Sequence, residues 1–456
     1  MATVPTDHGL ILLALGTIGG VVLLIARFRC PTVVALLLAS LAMGLGAGLP
    51  LLSDHLHPSL LGSIATGVWR SFAGLAPVIV LGAILGQLMA ASGAAEIIAL
   101  ALLQRVATRH LDYALMCLGF VIGISVFFGV GVMLLGPLAF MLARKSGLPL
   151  LRLALPLVAG LSVAHGLIPP HPGPMAAIAL VRADVGRTIM WSVLIGLPTA
   201  LVAGPLVSRA LTRREVLATP GKGEMANQWP VAPRPPGLTV SLFTLLLPVL
   251  LMLLATSAEL AGFPHGHPLR RFTQLVGSPI MAMLVATVCA TWTLGGRCGF
   301  QPAQLWAIAK RGLGPATSIA LVIAAGGGFS EVLHDTGVGE SIARLGALQS
   351  CSPILLGWMI AALLRVAVGS ATVAVIMASS LMLPVLGMHP ETNRELLVLA
   401  LGAGSLVCSH VNDSGFWLIK VYFGLTTSQT LRTWTIVETS IGVTALLIIL
   451  GANALH

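Results

Sequence analysis

Long apolar runs separated by short polar segments dominate the chain. A helix that spans a bilayer needs roughly 20 apolar residues. Apolar runs that could span or enter a membrane fall near 9–27, 31–52, 72–92, 112–143, 149–168, 188–211, 238–262, 275–295, 313–333, 353–387, 394–411 and 433–453. This pattern predicts an all-α polytopic membrane protein.

Two of these runs are too long for one spanning helix. Residues 112–143 contain the small-residue stretch SVFFGVG at 125–131, and residues 353–387 contain VGSATVA at 368–374. Each run is therefore predicted to form a re-entrant hairpin of two half-helices, with its end at the small residues.

An internal repeat divides the chain into two halves. GAILGQLMAASGAAEIIA at 82–99 aligns without gaps on GGGFSEVLHDTGVGESIA at 326–343, and residues 154–165 align on 397–410. The predicted hairpins fall between these blocks in both halves. The predicted units are a first transmembrane repeat at 1–212, a basic cytoplasmic linker at 213–237 and a second transmembrane repeat at 238–456.

The charge pattern predicts how the two halves are oriented. If the hairpin at 112–143 enters and leaves on one side, the first half crosses the membrane an odd number of times, so the second half is an inverted copy. With the N-terminus outside, most basic residues fall inside, including Arg144, Lys145 and the linker. That distribution agrees with the positive-inside rule.

Composition excludes a soluble globular protein. Hydrophobic residues make up 57% of the chain and charged residues 9%, with a mean hydropathy of +0.98. The net charge of +10 lies in short clusters between apolar runs, so no nucleic-acid partner is expected. The six cysteines lack CxxC spacing, and no metal site is predicted.

Four breaks in the apolar pattern mark the candidate site. They are the predicted hairpin ends at 127–131 and 369–372 and the interrupted helices at 165–174 and 409–415. Non-helical backbone at membrane depth is tolerated only where protein or a water-filled cavity satisfies its polar groups. Helices that begin at such breaks direct free N–H groups and partial positive charge at an anion.

The residue types at the breaks suit a polar anionic ligand. Ser370, Asn412 and Asp413 offer hydrogen-bonding groups, and His165 and His171 can hold a proton. The candidate substrate-binding residues are Gly129, Gly131, His165, His171, Gly173, Ser370, Thr372, His410, Asn412 and Asp413. The candidate proton-coupling residues are Asp413 and His165.

Structural interpretations of these residues stay open. The prolines at 169–174 are also compatible with a kink, and the histidines with buried groups that satisfy carbonyls. Ser370 and Thr372 are also compatible with helix caps. Arg365 is a possible partner of Asp413 or of a carboxylate substrate, and it is also able to extend to the membrane surface.

Several of these segments resemble the gluconate:proton symporter family of bacterial inner-membrane permeases. The motifs are HGLIPPHPGP at 165–174, GGGFSEVLHDTGVG at 326–339, LRVAVGSATVA at 364–374 and SHVNDSGFW at 409–417. The resemblance implies a multi-pass membrane protein. It would take up a sugar acid, a small carboxylate, together with protons and without a cofactor. It also implies a homodimer in membrane lipid, with a scaffold part and an elevator-like moving part that carries the two hairpins.

One position departs from the family pattern. Family members typically have Tyr-Glu-Val-Gly at the end of the first hairpin, where this chain has Phe128-Gly129-Val130-Gly131. The substitution removes a carboxylate that would be an obvious proton carrier, so coupling and substrate identity stay open.

Two alternatives to a proton-coupled sugar-acid transporter follow. The first is a carrier of another organic anion or of a small amino acid such as D-serine, with weak or no proton coupling. The second is an intramembrane hydrolase, which the sequence disfavours because it has neither HExxH nor GxSxG. The chain also has no P-loop, which argues against ATP-driven transport.

Overall fold

The computed structural model describes residues 6–52, 59–104, 106–212, 232–264, 266–338, 341 and 352–455. Most of the predicted linker at 213–237 lies outside these residues, as does Glu340 of the repeat. Over the described ranges the chain is helical and contains no strand.

The helices of the first half follow the apolar runs. They are α1 (Asp7–Ala26), α2 (Thr32–Gly46), α3 (Leu60–Ala91), α4 (Ala94–Leu103), α5 (Leu111–Gly123), α6 (Phe128–Ser146), α7 (Leu150–Leu167), α8 (Pro172–Val181), α9 (Val185–Leu201) and α10 (Val207–Thr212). A 3₁₀ turn at Thr108–His110 precedes α5, and a π-helical turn at Val202–Leu206 joins α9 to α10.

The second half has the same order of long, paired and interrupted helices. They are α11 (Leu238–Leu260), α12 (Pro268–Gly277), α13 (Pro279–Ala290), α14 (Pro302–Asp335), α15 (Pro353–Val368), α16 (Ala371–Met388), α17 (Arg394–Gly404), α18 (Ser414–Tyr422) and α19 (Thr427–Ala454). A π-helical turn at Thr291–Gly296 follows α13. In the described part of the chain, ten helical segments are long and apolar enough to cross a membrane.

Both long runs divide into two helices, but the first break lies just ahead of the predicted hairpin end at 127–131, because α6 already begins at Phe128. The first run divides into α5 and α6 around residues 124–127, and the second divides into α15 and α16 at Gly369 and Ser370. Gly369 has φ +79°, a left-handed conformation that favours glycine, and it ends α15. Ser370 caps α16 by accepting a hydrogen bond from the Val373 N–H.

Three helix boundaries differ from the prediction. Helix α3 starts at Leu60, well before the apolar run at 72, because Ser59 caps it and the polar Arg70 and Ser71 interrupt only the apolar pattern. Helix α14 starts at Pro302 behind a capping box of Gln301 and Gln304. The run 275–295 does not form one helix. Helix α12 ends at Gly277 and α13 begins at Pro279, because a residue that precedes proline, here Ser278, disfavours the helical conformation.

The two longest helices, α3 and α14, pack against each other along their length. Ser63 near the start of α3 donates to Asp335 at the end of α14 at 2.6 Å, and Gly312 near the start of α14 lies against Ala83 in the later part of α3. The helices are therefore antiparallel. Their backbones come close at Gly67, where an added Cβ would lie 2.3 Å from the Gly327 carbonyl oxygen.

The hairpins and interrupted helices form the second packing unit. In the first half α5 packs on α7, and in the second half α15 packs on α17. The halves also exchange contacts, since α8 packs on α16 and α6 packs on α18. Each interrupted helix is thus held by the hairpin of its own half and by the second arm of the other hairpin.

The α3–α14 crossing predicts that alanine substitutions at two glycines of α3 have very different effects on the free energy of unfolding. Gly67→Ala should lower the free energy of unfolding by about 1–3 kcal/mol because the methyl group meets backbone atoms that cannot move independently. Gly74→Ala is the matched control, since nothing lies within 4 Å of its added Cβ. Thermal unfolding of the purified protein measures both, and equal midpoints would contradict this account of the crossing.

Candidate functional site

The first interruption lies between α7 and α8. Pro169 and Pro170 have no backbone N–H and cannot continue α7, which ends at Leu167, and their peptide bond is cis. Helix α8 begins at Pro172, with His171 in the N-cap position. Proline is favoured at a first helical position because its missing N–H has no helical partner there.

Two histidines lie across this interruption. Their Nδ1 atoms are 3.3 Å apart, and His171 Nε2 contacts the carbonyl oxygen of Gly123 at the end of α5. With neutral rings, His171 donates to Gly123 from Nε2, so its Nδ1 accepts a hydrogen bond from His165. The Phe127 ring lies 5.9 Å from that of His171, which places the hairpin end against the pair.

The second interruption is organised by a buried ion pair. Arg365 near the end of α15 donates to the Gly369 carbonyl oxygen and to Asp413 Oδ2, both at 2.5 Å. Its side chain is 3% exposed and that of Asp413 is 10% exposed. The ion pair therefore joins the hairpin end to the start of α18.

Asp413 has two further roles in the same turn. Its Oδ1 accepts from the Gly415 N–H at 2.9 Å, which caps α18, and Ser409 donates to its Oδ2. Trp434 Nε1 donates to Ser409 Oγ at 2.9 Å. The carboxylate of Asp413 is thus saturated with donors from three elements.

Helix α19 joins the two interruptions. The Trp434 ring lies 5.4 Å from that of Phe128 on the first hairpin and also bonds Ser409 of the second interruption. One turn later, Glu438 accepts a hydrogen bond from Ser162 of α7 at 2.5 Å and is 2% exposed. Glu438 interacts electrostatically with Arg365 and Asp413. Groups from both halves therefore form one buried polar cluster.

The candidate residues from the sequence do not all lie in this cluster. His165, His171 and Asp413 belong to it, and Ser370 lies beside it as the cap of α16. Asn412 is exposed and donates to the Val366 carbonyl oxygen at 2.8 Å. The remaining candidates lie at the edges of the interruptions and hairpin ends: Gly129, Gly131, Gly173, Thr372 and His410.

Packing explains one of these edge positions, Gly131. An added Cβ on Gly131 would lie 2.6 Å from Leu161 Cδ2, so this glycine permits the close contact of α6 with α7. Gly129 has no such neighbour, because the nearest atom to its added Cβ is Leu418 Cδ2 at 3.6 Å. His410 Nδ1 accepts from the Asn412 N–H at 3.4 Å, within its own turn.

Sequence reasoning missed Ser162, Trp434 and Glu438 as members of the cluster. Ser162 and Glu438 are 276 residues apart in the chain, so no local pattern relates them. The available signal was the carboxylate of Glu438 inside the apolar run 433–453, since ionisable groups within spanning segments are usually functional.

A cavity of about 950 Å³ lies apart from the ion pair. Helices α3, α8, α13, α14 and α16 surround it, and its lining includes Arg70, Glu331 and Arg394. Arg70 pairs with Glu331 at 2.9 Å. Neither Arg365 nor Asp413 lines the cavity, but Met175, one turn after His171, does.

The described residues contain no group of three or more His, Cys, Asp or Glu side chains placed to hold a metal ion.

Interrupted helices around buried charges, in a chain with many membrane-length apolar helices, define a multi-pass membrane transport protein.

Comparisons with known proteins specify the family. The model of the GntP family permeases matches residues 9–455, so the chain belongs to the GntP permease family. It is 43% identical to a gluconate permease of Pseudomonas aeruginosa, with 97% of each chain covered. It is 40% identical to the Gnt-II system L-idonate transporter of Escherichia coli, covering 98% of this chain and 99% of the relative. These names belong to permeases, and the protein is a transporter and not an enzyme.

Two further comparisons concern the range of the family and the fold. The D-serine transporter DsdX of Escherichia coli is 36% identical, covering 91% of this chain and 92% of the relative. The solved structure of the YdaH transporter of Alcanivorax borkumensis has a TM-score of 0.65 at 18% identity, covering 98% of this chain and 99% of that one. The latter comparison supports the fold alone.

The buried ion pair predicts a coupled effect on stability. Arg365→Met should lower the free energy of unfolding by about 3–5 kcal/mol, because it leaves the Asp413 carboxylate buried without a cation. The double variant Arg365→Met/Asp413→Asn should recover part of this loss. Denaturation of the purified protein measures the double-mutant cycle.

The exposed pair Arg187–Glu259 provides the control for that cycle. Its side chains are 50% and 41% exposed, so Arg187→Met should change the free energy of unfolding by only about 0–1 kcal/mol. Additive effects of the Arg365 and Asp413 substitutions would show that the two side chains do not form a coupled pair.

Proposed function

We propose that the protein is a secondary transporter that imports gluconate or a related sugar acid together with protons across the bacterial inner membrane. The observation that carries this proposal is the convergence of both interruptions and both hairpin ends on one buried cluster, in a member of the GntP permease family. The gluconate and L-idonate transporters among its relatives support the substrate class.

The cluster contains a donor that a carboxylate substrate would satisfy. The Nε of Arg365 is buried and has no hydrogen-bond partner among the described residues. Buried donors are nearly always bonded, so an unpartnered one at a site marks a place for a ligand. We assign the substrate carboxylate to Arg365 and the sugar hydroxyls to the polar groups of the two interruptions.

The substrate-site proposal extends to the residues selected from the sequence. Those within or beside the cluster are His165, His171, Ser370 and Asp413, and those at the edges are Gly129, Gly131, Gly173, Thr372, His410 and Asn412. Asp413 accepts hydrogen bonds from Arg365, Ser409 and the Gly415 N–H, and this set of donors favours a role in holding the arginine over a role in carrying the proton.

An inverted repeat is part of the proposal. Residues 1–212 and 238–456 would form its two copies. Support comes from the antiparallel packing of α3 on α14, which occupy equivalent places in the two halves. The reciprocal packing of α8 on α16 and of α6 on α18 is also what a two-fold relation between the copies would produce.

We further propose an elevator-like mechanism. The hairpins and interrupted helices would move as one body against α3 and α14, and the homodimer implied by the family resemblance would hold the latter pair in place. The position of the cavity supports this division, because α3 and α14 line it together with α8 and α16. Movement along that boundary would expose the cluster to alternate sides.

A second substrate class deserves a direct comparison, because the cluster holds an arginine together with acidic groups. Such a site also suits a zwitterion such as D-serine, which DsdX is named for transporting. Counterflow in sealed proteoliposomes distinguishes the two classes. Liposomes loaded with unlabelled gluconate should transiently accumulate labelled gluconate, and external gluconate should compete more strongly than D-serine.

The counterflow experiment has two controls. Liposomes without protein measure leakage, and glucose, which has a similar set of hydroxyls but no carboxylate, should compete poorly. Stronger competition by D-serine would replace the sugar acid by the amino acid, and a chemically altered product would exclude a carrier.

Alternating access predicts a change in cysteine labelling within the cavity. Gly387→Cys, in a background without native cysteines, places a thiol in the cavity lining, where nothing lies within 4 Å of the added Cβ. An impermeant thiol reagent should label it from outside, and saturating gluconate should change the rate at least about twofold, because substrate shifts the populations of the two states.

Gly296→Cys is the topological control for this labelling. It is exposed after α13 beside Arg297, on the side predicted to be cytoplasmic, and should react only after the membrane is permeabilised. Equal labelling of Gly387→Cys with and without gluconate would argue for a static pore.

A further inference from the structure

Three carboxylates are buried in the described part of the chain, and they differ in their partners. Asp112 accepts from Arg209 at 2.6 Å, and Asp413 accepts from Arg365 at 2.5 Å. Glu438 accepts only from the neutral hydroxyl of Ser162 at 2.5 Å. A buried carboxylate without a bonded cation has the largest desolvation penalty of the three when it is charged.

Glu438 lies within the proposed transport site and not at a distance from it. Helix α19 packs on α7 and contacts α15, and Trp434, one turn before Glu438, touches both the first hairpin and the second interruption. Arg365 and Asp413 both act on Glu438 electrostatically. A change in the charge of Glu438 therefore changes the electrostatic potential at Arg365, the residue assigned to the substrate carboxylate.

We propose that Glu438 is the group that takes up the transported proton and that the Ser162 hydroxyl positions its carboxyl group. This inference rests on the proposed function, in which an anionic substrate enters with protons. In the binding step a hydronium ion transfers its proton to a Glu438 carboxylate oxygen and becomes water. The Ser162 O–H remains a donor to Oε1 in both protonation states.

Charge balance provides the coupling. With Glu438 ionised, Arg365 is outnumbered by two carboxylates, and the cluster carries one net negative charge. Protonation of Glu438 leaves Arg365 and Asp413, whose charges cancel. An anion then enters a cluster with no net charge and meets no net repulsion. One unit of charge about 10 Å away changes anion affinity by about tenfold at an effective dielectric constant near 20.

The charged and titratable groups around Glu438 are assigned as follows. Arg365 faces it from α15, Asp413 faces it from the start of α18, and His165 lies one turn after Ser162 on α7. The charged groups of the other packed elements have partners elsewhere. Lys420 lies over the Trp417 ring, Arg187 pairs with Glu259 and Arg209 pairs with Asp112. Arg394 donates to the Val181 carbonyl oxygen, and Glu395 accepts from the Asp184 N–H.

The test uses Glu438→Gln in the full chain, reconstituted in sealed proteoliposomes. The wild type should accumulate labelled gluconate when the outside is acidic. Glu438→Gln should lose this accumulation to the level of protein-free liposomes, while its counterflow, measured at equal pH on both sides, no longer varies with pH. Glu259→Gln on α11 is the matched control and should accumulate gluconate as the wild type does, since its side chain is 41% exposed and lies outside the cluster.

The positioning role of Ser162 has its own readout. Ser162→Ala should shift the pH at which counterflow is half-maximal, and Ser162→Thr, which keeps the hydroxyl, should restore the wild-type profile. Accumulation by Glu438→Gln at the wild-type level would overturn the proposal, as would a wild type that performs counterflow but ignores a pH gradient.

A spectroscopic measurement separates this inference from the choice of substrate. Infrared difference spectra of the purified protein between acidic and alkaline pH should contain a protonated-carboxyl band that is lost in Glu438→Gln and kept in Glu259→Gln. If that band is present while gluconate shows no counterflow, the substrate assignment fails and the proton site stands. The same spectrum in wild type and Glu438→Gln would overturn the proton site, and gel filtration confirms that each variant is folded.

Discussion

The geometry of the second half depends on the Arg365 guanidinium. One side chain donates both to the carbonyl that ends α15 and to the carboxylate that caps α18. Without it, the Gly369 carbonyl would lose the hydrogen bond from Arg365 and the Asp413 carboxylate would lose its cation, although Ser409 and the Gly415 N–H would still donate to Asp413. A lysine would not substitute, because its ammonium group lacks the planar fork that serves two acceptors in fixed directions.

The two interruptions solve the same backbone problem with different chemistry. In the first half prolines remove the donors at the break, and His171 donates to the Gly123 carbonyl oxygen. In the second half the ion pair and Ser409 hold the turn. The charged pair of the cluster therefore lies at the second interruption, whereas the first interruption contributes histidine rings.

The sequence was sufficient for features that depend on local chemistry. Apolar runs located the helices. Gly369 located the second hairpin break, because a glycine with positive φ ends a helix wherever it lies in the fold, whereas the break at 124–127 contains no such glycine and lies just before the small residues that predicted it. The starts of α3 and α14 were wrong, since capping by Ser59 and Gln301 extends both helices through polar residues. A window that measures only hydropathy does not register such caps.

Features that depend on distant pairing could not be derived in the same way. The sequence left three partners open for Arg365, and only the fold brings Asp413 to its guanidinium. The antiparallel register of α3 and α14 similarly depends on where Gly67 and Gly327 meet. Ser162 and Glu438 were missed because the contact joins helices from different halves.

The acidic group Glu438 lies on α19 and not on the first hairpin. The family resemblance implies a glutamate where this chain has Gly129, and the nearest atom to a Cβ added there is Leu418 Cδ2 at 3.6 Å, an ordinary contact distance. The charge balance of the cluster does not require the carboxylate to lie on the hairpin, because Coulomb interactions depend on distance and surroundings and not on the element that bears the group. Glu438 reaches the same cluster from α19, next to the tryptophan that contacts the hairpin end. The proton site proposed at Glu438 therefore does not depend on a carboxylate at the end of the first hairpin.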